Sequence, residues 1–168
     1  MFNPDTAPVS INPDTAPVSV FMPSLETAAR SLKVVLIPAP VHSDVEIETA
    51  IIVLGREPGG GLVMMPDAFM VVHRVPLIMA VAQNKIPTVY PNSVCARDGG
   101  LLSYGVDVVD ILHRAATYVD RILRGEKPGD PPVQFPTKFE MAANLKTAKA
   151  LGLEVPPAIR LRADEVIE

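Results

Sequence analysis

Hydrophobic and polar positions follow a pattern that switches several times between the strand period and the helix period. Short continuous runs of apolar, often β-branched residues indicate strands that are covered on both faces. Between them lie segments whose apolar residues recur every three or four positions, as in amphipathic helices. The predicted strands span residues 34–37, 62–65, 86–90, 101–104 and 137–144. The predicted helices span residues 25–32, 45–54, 75–84, 107–124 and 145–151.

This alternation of helix and strand with short connections predicts the fold class. A strand that is followed by a helix and then by another strand is typical of a parallel sheet. We therefore expect an α/β protein with an open, mostly parallel sheet flanked by helices.

Residue types at the helix ends support these elements. Ser24 precedes the first helix and Ser43 or Asp44 precedes the second, and all three are good N-caps. Pro76 suits the first turn of the third helix, and Gly125 suits the C-terminal cap of the longest one. The second helix carries an apolar stripe of Ile47, Ala50, Ile51 and Leu54. The longest predicted helix carries an apolar stripe that we expect to be buried, namely Val109, Leu112, Ala116, Val119 and Leu123.

Composition and charge restrict the class of protein. A chain of 168 residues with 48% hydrophobic positions can bury one sizeable core, so we expect a single α/β domain over residues 1–168. The net charge of -4 lacks the excess of basic residues that phosphate-backbone binding requires. Nucleic acid is therefore not an expected partner.

Targeting signals and membrane spans are not apparent in the sequence. Every long apolar run is interrupted by proline, glycine or a charge before the roughly 20 residues that a spanning helix needs. Residues 1–5 carry no positive charge and no apolar stretch, so they do not resemble a secretory signal. As written, the chain is expected to stay in the cytoplasm.

Residues that could carry catalysis are scattered. His42, His73 and His113 lie in three different segments without the spacing of a zinc site. Cys95 is the only cysteine and has no histidine near it in sequence. The glycines at 59–61 precede a strand, whereas a phosphate-binding loop follows one. We expect no catalytic residue, no metal, no cofactor and no enzyme activity.

Polar residues at the carboxyl ends of the predicted strands are the remaining candidates for binding. In open α/β sheets, ligands bind in the crevice outside these strand ends. The polar residues in such positions are Asp67, Tyr90, Asn92, Ser103 and Tyr104. The alternative to ligand binding is a structural role, in which Asp67 caps a helix or turn and the tyrosines are half-buried packing residues.

Several stretches resemble a known family. Residues 99–157, from GGLLSYGVDVVDILHRAATYVDRILRG to LGLEVPP, resemble the C-terminal part of ABC transporter substrate-binding proteins related to the tryptophan and tyrosine uptake receptors. The upstream segments NPD, SLETAARSL, LIPAP, LVMMPDAF and HRVPLIMAVAQNKIPTVYP are similar to the same family. The resemblance implies a type I periplasmic binding protein, in which two α/β lobes close on a small solute and deliver it to a membrane permease.

The resemblance also implies what this chain lacks. Family members carry a signal peptide and a full N-terminal lobe ahead of the segments matched here. The chain is therefore interpreted as a truncated C-terminal lobe, whose residues 99–125 would normally pack on the missing N-terminal lobe. By the same resemblance, the intact protein is expected in the periplasm with an ABC permease as its partner.

We therefore predict a solute-binding component of an ABC importer that binds a small solute such as an aromatic amino acid. Asp67 would pair with an amine, and Phe69 and the tyrosines would stack on the solute. The predicted ligand contacts are Asp67, Phe69, Tyr90, Ser103 and Tyr104.

Two alternatives from other classes remain open. One is an enzyme of flavodoxin-like or Rossmann-like topology, which the lack of a glycine-rich loop after a strand disfavours. The other is a self-assembling remnant without a ligand. Because the apolar stripe on helix 107–124 has lost its family partner, we expect a homo-oligomer, most simply a two-fold dimer that buries this helix.

A perfect duplication occupies the N-terminal region. Residues 3–10 and 12–19 both read NPDTAPVS, and two copies are too few for a repeat architecture. In the family, the strand before NPD is usually central in the sheet. That strand is missing from this chain, and we therefore predict that residues 9–11, from this chain or a swapped partner, take its place beside 34–37 and 62–65.

Overall fold

The computed structural model describes residues 17–56 and 59–168, in which short helices alternate with short strands. The helices are α1 Pro17–Leu32, α2 Asp44–Gly55, α3 Ala68–Val72, α4 Arg74–Gln83, α5 Ser93–Arg97, α6 Val108–Leu123, α7 Leu145–Ala150 and α8 Pro157–Arg162. The strands are β1 Leu62–Val63, β2 Thr88–Tyr90, β3 Leu102–Val106, β4 Phe139–Asn144 and β5 Glu165–Ile167. Across these two ranges, no helix combines the length and the apolar composition that crossing a bilayer requires.

The five strands form one sheet in the order β1-β2-β3-β4-β5. β1, β2 and β3 run parallel, β4 runs antiparallel to β3, and β5 runs parallel to β4. Parallel neighbours need a crossover connection, which α3 and α4 provide between β1 and β2 and α5 provides between β2 and β3. The predicted α/β class, with a mostly parallel sheet flanked by helices, is confirmed.

The main core lies between α2, α4 and the β1–β2 end of the sheet. The second predicted helix is confirmed, because Ser43 caps α2 by accepting a hydrogen bond from the Glu46 N–H group at 3.3 Å. Ile47 and Ile51 on the predicted stripe are fully buried, and Ala50 and Leu54 pack against them. Burying such a side chain stabilises the fold by roughly 1.5–3 kcal/mol.

The two faces of the sheet carry different residues. Directly paired residues of neighbouring strands share a face, so Tyr90, Ser103 and Ala142 point to the same side. α5 covers this side, since Asn144 Nδ2 donates to the Ala96 carbonyl at 3.0 Å. We call it the α5 face, and we call the other side the opposite face.

A bidentate ion pair joins α5 to the last strand on the α5 face. Arg97 Nη2 and Nε donate to the Glu165 carboxylate at 2.7 and 3.0 Å. These hydrogen bonds hold the pKa of Glu165 below its ordinary value. The pair therefore fixes α5, which starts at the end of β2, to the far side of β4.

The predicted strand at residues 34–37 is wrong. These residues form neither helix nor strand, and their four side chains are exposed. Their β-branched composition favours a strand, but a strand also needs a neighbour to hydrogen-bond, and none of the five described strands pairs with this segment.

Other elements differ at their ends. α1 begins at Pro17 and contains Pro23, so Ser24 lies inside the helix and does not cap it. α4 begins at Arg74, so Pro76 occupies its third position, and the preceding short helix α3 was not predicted. The C-terminal segment forms α8 and β5, whose brevity leaves little periodic signal.

The predicted apolar stripe on α6 is not buried in this chain, contrary to the sequence-based expectation. Val109, Leu112, Val119 and Leu123 are each more than half exposed, and α6 has no buried residue. Within the segment 99–125, β3 lies in the middle of the sheet and only α6 stands away from it. The prediction for residues 9–11 lies outside the described residues.

Candidate functional site

A cleft of about 410 Å³ lies at the carboxyl ends of β2 and β3. Its walls come from α3, the start of α4, α5, the start of α6 and the beginning of β4. The apolar lining residues are Val71, Val94, Val108 and Val109. The polar lining residues are Arg74, Asn92, Ser93, Arg97, Asp107 and Glu140.

The chain builds two walls of this cleft in the same way. β2 and β3 are parallel, so the helices that follow them start at the same edge of the sheet. Asn92 caps α5 and accepts a hydrogen bond from the Cys95 N–H group at 3.3 Å. Asp107 caps α6 and accepts one from the Asp110 N–H group at 3.0 Å.

Three charged lining residues already have partners outside the cleft lining. Arg74 Nε donates to Asp98 at 2.8 Å, and Arg97 is held by Glu165. Asp107 pairs with Lys138 at 2.7 Å, and hydrogen bonding to Lys138 lowers the pKa of Asp107. These groups shape the cleft, and a ligand would have to compete with their existing partners.

Glu140 differs from the other charged lining residues. It lies half-buried on β4, opposite Gly105 of β3, and so belongs to the α5 face. Within the described part of the chain, its carboxylate makes no hydrogen bond or ion pair, although its charge interacts electrostatically with Arg97 and Lys138. Glu140 is therefore the carboxylate that is available to a cationic group in the cleft.

The combined lining suits one type of molecule. Four valines supply apolar walls, and Glu140 supplies an acceptor for a cation at one side. Polar groups that are few and convergent within an apolar pocket typically set the orientation of a small ligand. The cleft can therefore hold a small solute with an apolar body and an ammonium group.

The sequence-predicted residues of the β1 loop lie beside this cleft and do not line it. Asp67 is buried and caps α3, because its Oδ1 accepts a hydrogen bond from the Met70 N–H group at 2.9 Å. Phe69 stacks on His73 with ring centroids 4.0 Å apart and packs against the core. In this structure both side chains therefore support α3 and the start of α4, which form walls of the cleft.

The three predicted ligand contacts on β2 and β3 do not all lie on the same face of the sheet. Tyr90 and Ser103 are completely buried on the α5 face, and burial raises the pKa of Tyr90. Tyr104 lies on the opposite face, where it is half exposed and stacks on Phe139 at 6.0 Å. The structure does not bring the five predicted ligand contacts together, and their binding role stays a prediction.

Sequence reasoning missed the residues that line the cleft, apart from Asn92. The position of Asp107 directly after β3 is a signal that could have identified it. No such signal identifies Glu140, which lies at the start of β4. It reaches the carboxyl ends of β2 and β3 only because β4 runs antiparallel to β3.

Three other side chains of the described residues that could be reactive are buried or paired. Cys95 is buried, and burial raises the pKa of its thiol to about 11. His42 pairs with Glu46, and His73 pairs with Asp44. Residues 17–56 and 59–168 contain no cluster of three or more histidine, cysteine or acidic side chains that could hold a metal ion.

The sequence matches the family described as ABC transporter substrate binding protein over residues 5–167. The chain belongs to this family. No curated protein sequence matches it significantly.

Several solved structures share its fold. A conserved domain protein from Vibrio cholerae is 24% identical with a TM-score of 0.80, and the match covers 92% of this chain and 52% of that one. An ABC domain in complex with L-Trp from Streptococcus pneumoniae is 22% identical with a TM-score of 0.76 and the same coverage. A ligand-free, open substrate-binding protein with adhesive properties from Clostridium difficile is 20% identical with a TM-score of 0.60. That match covers 90% of this chain and 50% of the other one. The chain spans about half the length of these proteins.

Proposed function

We propose that this member of the substrate-binding family is a solute-binding lobe of an ABC importer, and that its cleft contributes one wall of the solute site. The observation that carries the proposal is the carboxylate of Glu140, which is half-buried, lines the same cleft as four valines and makes no ion pair with any described residue. The proposal includes no catalytic step.

The solute that fits best is an aromatic α-amino acid. Its ammonium group would pair with Glu140, and its ring would lie against Val94, Val108 and Val109. The Streptococcus pneumoniae protein with the same fold is described in complex with L-Trp, which supports this class of solute.

Transport would follow from the closure of two lobes. A solute that contacts both lobes stabilises the closed form, because it binds that form more tightly than the open one. A permease can then distinguish loaded from empty protein. The solved proteins of this fold are about twice as long as the chain, so the second wall would come from another lobe.

Titration with L-Trp tests the proposal directly. The chain contains no tryptophan, so fluorescence excited outside the tyrosine band reports the ligand alone. Saturable binding is expected, with Glu140→Gln weakening it roughly 10- to 100-fold, since a hydrogen bond to a charged group contributes roughly 1.5–3 kcal/mol. The matched control is Glu154→Gln, which removes an exposed carboxylate away from the cleft.

Two results would contradict the proposal. One is that L-Trp, L-Tyr and L-Phe all fail to bind the folded chain. The other is that Glu140→Gln binds L-Trp as tightly as the unmodified chain does. Indole, which lacks the amino acid group, should bind weakly both to the unmodified chain and to Glu140→Gln, because it has no ammonium group for Glu140.

A further inference from the structure

Ser93, the first residue of α5, has a hydroxyl group without a hydrogen-bond partner among the described residues. The residue is only 6% exposed, and it lines the cleft. Buried hydroxyl groups in folded proteins nearly always have a partner, because leaving one unpaired is unfavourable. An unpaired hydroxyl in the wall of a cleft therefore indicates a partner that enters the cleft.

Asn92 places a second hydrogen-bond donor beside this hydroxyl. Its Oδ1 accepts hydrogen bonds from the N–H group and from the thiol of Cys95, both at 3.3 Å. Oδ1 and Nδ2 are bonded to the same carbon and point in different directions, so an Oδ1 held against α5 directs Nδ2 away from it. Nδ2 makes no hydrogen bond with a described residue, and the half-buried side chain lines the cleft.

The chemistry of these two groups restricts what can bind them together. An amide nitrogen only donates hydrogen bonds, and a serine hydroxyl donates one. A carboxylate can accept both, because it carries two oxygens on one carbon. Hydrogen bonds to a charged acceptor are stronger than those to a neutral one, so a carboxylate is the favoured partner.

Glu140 lies close to these donors. Pro91, which precedes Asn92, crosses β3 at Gly105 so closely that a Cβ atom there would clash with the Pro91 carbonyl oxygen. Gly105 is directly opposite Glu140 in the β3–β4 pair, and the Cα atoms of residues paired in this way lie roughly 4.5–5.5 Å apart. The acceptor Glu140 and the donors on Asn92 and Ser93 are therefore close enough to bind neighbouring groups of one small molecule.

We propose that Ser93 Oγ and Asn92 Nδ2 form a carboxylate subsite, which binds the carboxylate of the α-amino acid whose ammonium group pairs with Glu140. An α-amino acid carries these two groups on one carbon, and this suits the closeness of Glu140 to the two donors. The subsite rests on the proposed function, because it receives a second group of the same solute. It makes the cleft selective for an α-amino acid over the amine that lacks the carboxylate.

Comparison of L-Trp with tryptamine tests this selectivity. Tryptamine has the same indole ring and an ammonium group but no carboxylate, and its fluorescence can be followed in the same way. The unmodified chain should bind L-Trp at least about 10-fold more tightly, since hydrogen bonds to a charged group contribute that much. Equal affinity for the two ligands would overturn the carboxylate subsite and leave the pairing with Glu140 intact.

Ser93→Ala removes one donor without removing a hydrogen bond between described residues. The affinity for L-Trp should fall roughly 10-fold, and the affinity for tryptamine should stay unchanged. The matched control is Ser31→Ala, which removes a hydroxyl from α1, outside the cleft lining, and should change neither affinity. Equal loss of affinity for both ligands in Ser93→Ala would overturn the proposal, because it would show an effect on the whole cleft.

Asn92→Asp replaces the second donor by a negatively charged acceptor. The new carboxylate keeps an oxygen for the Cys95 N–H group, and aspartate caps helices as well as asparagine does, so α5 should stay folded. Its other oxygen replaces Nδ2 and repels the carboxylate of L-Trp. The affinity for L-Trp should fall by more than about 10-fold, whereas the affinity for tryptamine should stay equal or rise. Circular dichroism checks the fold, and an unchanged preference for L-Trp in the folded variant would overturn the proposal.

Failure of the proposed function gives a different result. In that case the unmodified chain binds neither L-Trp nor tryptamine, and the carboxylate subsite is wrong as well. If both ligands bind and depend on Glu140, while Ser93→Ala and Asn92→Asp bind L-Trp as the unmodified chain does, only the carboxylate subsite is wrong.

Discussion

A Cβ atom on Gly105 of β3 would lie 1.8 Å from the carbonyl oxygen of Pro91, which follows β2. Real atoms do not approach so closely, so only glycine allows the turn after β2 to cross β3 at this point. The same turn leads into Asn92 and α5, and therefore sets the position of one wall of the cleft.

Gly105→Ala should consequently destabilise the fold. The added methyl group meets backbone, which cannot rotate away, so the free energy of unfolding should fall by at least about 1–3 kcal/mol. Urea unfolding followed by circular dichroism measures this. Gly129→Ala is the control, because a Cβ there meets nothing within 4 Å, and its unfolding midpoint should barely change.

Ser103→Ala should stabilise the protein. The Ser103 hydroxyl is completely buried and has no hydrogen-bond partner among the described residues. An unsatisfied buried hydroxyl costs roughly 1–3 kcal/mol, so its removal should raise the free energy of unfolding by about 1 kcal/mol. L-Trp affinity should not change; a clear loss of affinity at unchanged stability would instead support Ser103 as a ligand contact.

Tyr90 should resist ionisation in the folded protein. Burial raises its pKa above the ordinary value of about 10, so the native state is fully stable below that pH and loses stability as the pH rises beyond it. Alkaline titration by phenolate absorbance should show one of the three tyrosines ionising only on unfolding. Tyr90→Phe should abolish the tyrosine ionisation that occurs only on unfolding. If this ionisation persists in the variant, it belongs to another tyrosine.

Asp67 can be tested for two roles with two substitutions. Asp67→Ala removes the cap of α3 and should lower the free energy of unfolding by about 1 kcal/mol, whereas Asp67→Ser keeps a capping oxygen and should lose little. Urea unfolding of both variants checks this. Asp67→Ser also removes the charge, so L-Trp binding by that variant shows whether the predicted contact with an amine exists.

Local signals in the sequence were sufficient for much of the fold. Ser43 ahead of a stripe that contains Ile47 and Ile51 predicted α2 correctly, since a cap and a 3.6-residue period act within one helix. Residues 34–37 show the limit of such signals. A strand is stable only beside a hydrogen-bonded neighbour, and its own residues do not specify that neighbour.

The sequence therefore determined where along the sheet a residue lies, and the tertiary structure decided on which face of the sheet its side chain lies. Strand ends predicted that Ser103 and Tyr104 lie near the carboxyl edge. Adjacent strand residues point to opposite faces, and the packing of α5 buries Ser103 while Tyr104 stays half exposed on the other side. Glu140 reaches the cleft only because β4 returns antiparallel beside β3, a pairing between residues far apart in the chain that no local pattern encodes.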